Sequence, residues 1–262
     1  MFVTMIDLYD YSLLTIFLVG LAVILAGCES GRRLGVRAAS RGGDSVSTLE
    51  SAILGLLALM IGFTFAMALS RFEARRDAVL NEANAIGTTA LRARLLPEPQ
   101  RSNALQLLEE YVKIRLDITR RPVSQAELIA AIDRSYALQE ALWQQAMAVA
   151  AKDNGLVPTG LFVQTLNEMI DNQEKHLTAL RNRVPNIVML ALFGIATIAS
   201  AFAGYASGLE ARRTRLPIYI TGLLVSGVIL LILDLDRPSV GFIEVSQQPM
   251  IDTAASIAAF AH

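Results

Sequence analysis

The sequence has very little cysteine and histidine, two residue types that often carry catalysis or bind metals. It contains one cysteine, Cys28, and two histidines, His176 and His262. One cysteine excludes an intrachain disulfide, and these three residues have no zinc-site spacing. The glycine-rich phosphate loop and the GxSxG and HExxH motifs are also missing. The net charge of −1 lacks the basic excess typical of nucleic-acid binding. We therefore expect no catalytic residues, no metal or cofactor, and no nucleic-acid partner.

Charge is missing from four long apolar runs. Hydrophobic residues make up 53% of the 262 residues and charged residues only 18%. A membrane-spanning helix needs about 20 mostly apolar residues, and four runs meet this requirement: 11–28, 51–69, 187–207 and 216–233. A charge at the centre of such a run would cost about 2.5–3.5 kcal/mol on insertion. The sequence therefore predicts an all-α membrane protein with four transmembrane helices.

The first run permits two interpretations. It ends in Leu25-Ala26-Gly27-Cys28, which resembles the lipobox of bacterial lipoproteins. A secretory signal begins with a basic segment, whereas residues 1–10 contain two aspartates and no lysine or arginine. An uncleaved first helix is therefore favoured, and cleavage at Cys28 is the alternative.

The arginines and lysines near the spans do not decide the orientation. Seven lie in the loops that join spans one and two and spans three and four, and seven lie on the other side of the membrane. The members of the first group are Arg32, Arg33, Arg37, Arg41, Arg212, Arg213 and Arg215. Short loops are the more reliable indicators, which weakly favours a domain outside the cell.

The chain divides into a part with two spans (1–70), a charged domain (71–185), and a part with two more spans and a C-terminal tail (186–262). Strong helix formers follow the second span, and the next proline is Pro97. One helix should therefore run from about residue 46 to residue 95. No segment alternates with period two for long enough to predict a strand.

Three further helices are expected in the domain. The first begins near Pro99, and its buried face carries Leu105, Leu107, Leu108, Tyr111, Val112 and Ile114. The next follows Ser124, which has capping-box spacing to Glu127. The last runs from about 159 to 183. It includes His176, whose charged neighbours in NQEKHLTALR predict a solvent-facing side chain.

The second span carries two rows of residues at helical spacing. Gly55, Leu59 and Phe63 would form an apolar constriction if several copies met around an axis, and such constrictions can gate by dewetting. Spacing alone favours ordinary packing or lipid contact for this row. Small residues form a helix-packing face beside it, and another on the third span; these are Ala58, Gly62 and Ala66, and Ser200, Gly204 and Gly208.

A family resemblance favours the pore. Gly62-Phe63, followed by Arg71-Phe72 and Glu73-Ala74-Arg75, resembles the second transmembrane helix of bestrophins. SRFEARRDAVLNEANAIGTTALRARLLPEP and DLDRPSVGFIEVSQQP resemble bestrophin-like bacterial membrane proteins more closely. The resemblance implies a homo-oligomer, pentameric as in the bestrophin anion channels, in a bacterial inner membrane. It places the apolar neck at Gly55, Leu59 and Phe63, although Gly55 departs from the family pattern.

Polar residues beyond the second span have open roles. Arg71, Arg75 and Arg76 could attract anions to a pore mouth, but contact with lipid headgroups is the safer expectation. Asn81, Glu82 and Asn84 could line a vestibule or cap neighbouring helices.

Two aspartates follow the fourth span. Asp234 and Asp236 are too few for the 6–8 oxygens that calcium takes. We expect them to pair with Arg237 and to fix the end of that span at the membrane interface.

These observations leave two classes of function. The first is a homo-oligomeric bestrophin-type ion channel that passes inorganic anions and is embedded in membrane lipid. The second is a membrane-anchored scaffold or sensor whose helical domain binds a partner protein. The second span fits the first class, and the long helical extension fits both.

Overall fold

The computed structural model describes residues 8–40, 46–120, 124–152, 157–210, 216–238 and 241–260. These residues form a short 3-10 turn, Leu8–Asp10, and eight α-helices, and they contain no strand. The helices are α1 (Leu13–Ala39), α2 (Ser47–Ala93), α3 (Gln100–Arg120), α4 (Gln125–Ala150), α5 (Val157–Arg181), α6 (Asn186–Leu209), α7 (Leu216–Asp236) and α8 (Gln248–Ala258). The all-α prediction is confirmed.

Four helical stretches among these residues are long and apolar enough to cross a membrane. They correspond to α1, the first half of α2, α6 and α7, as the apolar runs predict. The third stretch extends back through α5, but α5 carries charged residues, so its apolar part is α6. The chain is therefore a membrane protein with four candidate spans.

Helix α1 continues well beyond the apolar run that predicts it. The Ser12 hydroxyl accepts the Thr15 N–H at 3.1 Å and caps its first turn. The helix then runs through Cys28, which is buried, and ends at Ala39. Cys28 thus lies in a helix interior, eleven residues before the helix ends.

Helix α2 is unbroken over 47 residues, which corresponds to about 70 Å at 1.5 Å per residue. The prediction of one helix through the second span and into the domain is confirmed. The physical reason is local: the segment is rich in strong helix formers and lacks proline.

The chain forms two compact units, which divide α2 after Arg71. The first contains the described residues of Met1–Arg71, Arg183–Arg237 and Gly241–Ile243. Within it, glycine allows α1 and α6 to touch backbone to backbone. A Cβ on Gly31 would lie 1.9 Å from the Ala201 carbonyl oxygen, and one on Gly204 would lie 2.1 Å from that of Cys28. Side chains at these two positions would have no room.

The second unit is a helical domain with its own apolar core. The domain half of α2 packs there with α3, α4, α5 and α8. The predicted buried face of α3 is confirmed: Leu105, Leu108, Tyr111 and Val112 are buried, and Leu107 and Ile114 are partly buried.

Two ends of helices in this domain illustrate what the sequence predicts and what it misses. The capping box before α4 is confirmed, with Ser124 and Glu127 each accepting the backbone N–H of the other, at 3.2 and 2.8 Å. Helix α8 was not predicted and lies in the segment that the sequence suggested was a tail. Its Met250 and Ile257 are buried in the domain core.

Candidate functional site

The apolar row of α2 lies on an exposed face of the single chain. Leu59 is 54% exposed and Phe63 is 62% exposed, and a Cβ on Gly55 would meet nothing within 4 Å. Leu57, Thr64 and Ala68 lie on another face of the same helix and are buried. One face of this part of α2 is thus covered by its own chain, while the row Gly55, Leu59 and Phe63 remains open to lipid, water or another copy.

The small-residue face of α2 is exposed as well. Ala58, Gly62 and Ala66 are all exposed, and a Cβ on Gly62 would meet nothing within 4 Å. These residues therefore offer a surface on which another helix could pack closely, and their role stays a prediction.

The small residues of α6 lie in a different environment. Ser200, Gly204 and Gly208 are buried along one face of the helix. A Cβ on Gly208 would lie 2.4 Å from the Arg32 carbonyl oxygen of α1. This face is the one on which α6 meets α1.

The three arginines beyond the second span do not form one exposed group. Arg76 is exposed, Arg71 is half-buried and Arg75 is only 1% exposed. Of the three, Arg76 has the exposure that a role at a pore mouth or headgroup layer requires. The burial of Arg75 was not anticipated from the sequence.

The polar trio on the domain half of α2 is similarly divided. Asn81 and Asn84 are exposed, whereas Glu82 is fully buried, at 0% exposure. A vestibule surface could include the two asparagines, but in the single chain Glu82 faces the domain interior.

Glu82 is the centre of a buried polar cluster within the domain. On α3, Arg115 donates from Nε to Glu82 Oε1 at 2.6 Å and from Nη2 to Oε2 at 3.2 Å. On α5, His176 Nδ1 lies 2.5 Å from Glu82 Oε2. This contact is a hydrogen bond when Nδ1 carries the proton, because the carboxylate can only accept. We call Glu82, Arg115 and His176 the Glu82 cluster.

A second layer of hydrogen bonds surrounds the Glu82 cluster. The Tyr111 hydroxyl donates to Gln173 Oε1 at 2.7 Å and lies 3.4 Å from Glu82 Oε1. Gln139 of α4 donates from Nε2 to the same Gln173 oxygen at 3.1 Å. Four helices of the domain thus converge on one buried network.

The electrostatics favour an ionised pair at the centre. Burial by itself raises the pKa of the Glu82 carboxyl, but Arg115 and the hydrogen bond from His176 outweigh it, so this pKa lies below its ordinary value. Burial lowers the pKa of Arg115, but the negative charge of Glu82 raises this pKa by more. The pKa of Arg115 therefore lies above its ordinary value. Burial and, next, Glu82 raise the pKa of Tyr111.

The prediction that His176 faces solvent is wrong. Its side chain is 2% exposed, because it lies on the α5 face that also buries Met169, Gln173 and Leu177. The positions of those residues, three to four apart, carry the signal that the neighbouring charges obscure. Arg115 follows Tyr111 by four residues on the buried face of α3, so the same periodicity could have found it.

The two aspartates after the fourth span bind backbone amides. Asp234 accepts the N–H groups of Phe242 and Ile243 at 2.8 and 3.0 Å. Asp236 accepts the Val184 N–H at 2.8 Å and the Tyr9 hydroxyl.

Arg237 binds elsewhere. It donates to the carbonyl oxygens of Leu8 and Tyr11, at 3.3 and 2.6 Å. The expected pairing of the aspartates with Arg237 is therefore replaced by backbone contacts and, at Asp236, by the Tyr9 hydroxyl. No group of three or more metal-binding side chains lies among the described residues.

The fold and these surfaces define a class: an all-helical membrane protein with four candidate spans, one of which continues into a helical domain. A family model for the Bestrophin-like domain matches residues 16–250. The chain belongs to the bestrophin-like family. A search of curated proteins gives no significant match.

Solved structures of a bacterial bestrophin homologue from Klebsiella pneumoniae share the fold. One single-residue variant has 12% identity and a TM-score of 0.71, with 96% of this chain and 98% of that chain covered. A structure of that homologue phased with zinc has 12% identity and a TM-score of 0.71 over 95% and 98%. Another variant has 13% identity and a TM-score of 0.70 over 95% and 98%.

Proposed function

We propose that this chain forms a homo-oligomeric bestrophin-type channel whose constriction is the row Gly55, Leu59 and Phe63. The observation that carries the proposal is the exposure of this row on α2, beside a face that the chain itself buries. Copies that meet around an axis would bring the rows together into apolar rings. Such rings exclude water and can gate ion flow by dewetting.

The permeant ions are inorganic anions. The apolar stretch of α2 carries no acidic side chain between Ser51 and Arg71. Arg71 is the first cation beyond it, and Arg76 is the first exposed one. Cations near the end of a narrow path raise the local concentration of anions. The family resemblance agrees with this selectivity. In this role the protein spans a bacterial inner membrane several times and is not an enzyme.

Chloride flux from liposomes tests the proposal. Phe63→Ala and Leu59→Ala widen an apolar constriction and lower its dewetting barrier, so each should raise the flux by about threefold or more. Phe65→Ala is the matched control, because Phe65 lies on the same helix but points about 160° away from Phe63.

Flux that rises in the Phe63 and Leu59 variants, and stays near the wild-type value in the Phe65 variant, supports the constriction. Absence of anion flux from correctly assembled wild-type protein would overturn the channel and favour the scaffold or sensor. Equal effects of Phe63→Ala and Phe65→Ala would place the constriction elsewhere.

A further inference from the structure

We propose that Glu82 is a positioning residue for α2: through Arg115 and His176 it fixes the axial and rotational setting of the helix that carries the apolar row. This inference rests on the proposed function of that row as a constriction. The three residues lie within the helical domain and come from α2, α3 and α5.

The Glu82 cluster is built for directional contact. The guanidinium of Arg115 contacts both carboxylate oxygens, and His176 approaches Oε2 as a third partner. Planar two-point contacts of this kind fix geometry as well as contributing energy. All three side chains are almost completely excluded from solvent, so water cannot replace a lost partner.

The buried neighbours of Glu82 on this part of α2 are mostly small, and one of them, Thr89, adds a single hydrogen bond to the Thr165 carbonyl oxygen of α5 at 3.0 Å. Five of them are alanines, namely Ala78, Ala83, Ala85, Ala90 and Ala93. Small, smooth side chains allow one helix to shift or rotate against another at low cost. Turning α2 by one residue would swing Glu82 through about 100° and leave the Arg115 charge buried without its carboxylate. The Glu82 cluster therefore opposes such a shift.

The helix itself connects this setting to the constriction. Phe63 precedes Glu82 by nineteen residues in one unbroken helix, or about 28 Å along its axis. A rotation or shift of the domain half would turn or displace Phe63 through this continuous helix. Buried ionic groups can be retained for such conformational specificity, even where apolar residues would give equal stability.

Variants that remove the ionic groups but preserve the packing separate a positioning role from a role in stability. The triple variant Glu82→Met, Arg115→Met, His176→Leu replaces the Glu82 cluster with apolar side chains, which often preserve or increase stability. His176→Asn is the conservative variant, because its amide N–H can take the place of the Nδ1 donor. Glu109→Gln is the control, since Glu109 pairs with Lys113 at the domain surface.

Two measurements are made on the full chain in lipid nanodiscs or liposomes: hydrogen exchange of the α2 amides over residues 78–93, and chloride flux. We expect the triple variant to melt at a temperature similar to wild type. Its α2 amides should exchange about tenfold faster, and its chloride flux should differ by about threefold or more. His176→Asn and Glu109→Gln should resemble wild type in both measurements.

The outcomes separate this inference from the channel proposal. A stable triple variant with wild-type exchange and flux overturns the positioning role and leaves the channel intact. A wild-type protein that passes no anions overturns the channel, and exchange alone then decides the positioning role. If the triple variant does not fold, His176→Leu is compared with His176→Asn, and equal exchange in these two overturns the proposal.

Discussion

Glu82 shows how much one buried carboxylate can determine. It lies at 0% exposure and has Arg115 and His176 as hydrogen-bond partners. A charge in this position is tolerated only while its partners remain, because removing one member of a buried pair leaves the other uncompensated. The stability of the domain should therefore depend on Glu82 in a way that no surface glutamate reproduces.

Acid should reveal this dependence. The pKa of Glu82 lies below its ordinary value, so ionised Glu82 stabilises the fold fully above about pH 4.3, the ordinary glutamate pKa. This contribution is lost as the pH falls through the lower, folded-state pKa. Glu82→Gln should cost about 3–5 kcal/mol at pH 7 and should flatten the loss of stability below pH 4.

Denaturant unfolding of the full chain, followed between pH 7 and pH 3, measures both effects. Glu109→Gln serves as the control, because its pair with Lys113 is partly exposed and contributes about 0–1 kcal/mol. If the free energy of unfolding fell equally steeply with acid in wild type and in Glu82→Gln, this pH dependence would not belong to Glu82.

Sequence reasoning located Glu82 but not its role. The trio Asn81, Glu82 and Asn84 suggested either a vestibule lining or caps of neighbouring helices, and charged neighbours suggested that His176 was exposed. A charge next to a residue in sequence lies about 100° around the helix, so it says little about burial. The partners of Glu82 come from α3 and α5, and such contacts depend on tertiary packing that no local pattern encodes.

At the scale of helices, glycine decides how α1 and α6 pack. Gly204 has the Cys28 carbonyl oxygen 2.1 Å from an ideal Cβ position, whereas Gly194 on the same helix has nothing within 4 Å. Because the obstacle at Gly204 is backbone, a small movement of a side chain cannot relieve it. The two glycines thus form a matched pair on one helix.

Gly204→Ala should therefore destabilise the protein by about 1–3 kcal/mol or more through overpacking. Gly194→Ala should be neutral or slightly stabilising, because alanine is the better helix former. The two variants are heated in detergent, and their melting temperatures are measured from the loss of the monodisperse peak. Equal melting temperatures for both would show that α1 and α6 separate at little cost.

The sequence predicts helices most successfully where strong local signals agree. Continuous helix formers predict α2, and a capping box predicts the start of α4. Helix α8 was missed because its short amphipathic segment, Gln248–Ala258, follows a stretch rich in polar and turn-forming residues. Its place in the domain core comes from Met250 and Ile257, which acquire meaning only once the rest of that core exists.

At the scale of the whole molecule, four uncharged runs were enough to predict the spans, and the family followed from the motifs of α2. The spans and the family motifs do not determine how copies of the chain assemble. One copy of α2 cannot enclose a path, so a pore needs several copies whose exposed rows face a common axis. Closed rotational symmetry is the usual solution for identical subunits, and the proposed channel requires such a ring.

Single-particle images of the protein in lipid nanodiscs should therefore show a closed ring with α2 nearest the axis. Phe63→Ala should assemble into the same ring, because a side chain that lines an opening contributes little to the contacts between subunits. The comparison of Phe63→Ala with wild type thus separates pore lining from assembly. A monomer or a twofold dimer would leave the row without a closed path. Leu59 and Phe63 would then be lipid-facing or partner-facing residues, as the scaffold or sensor alternative requires.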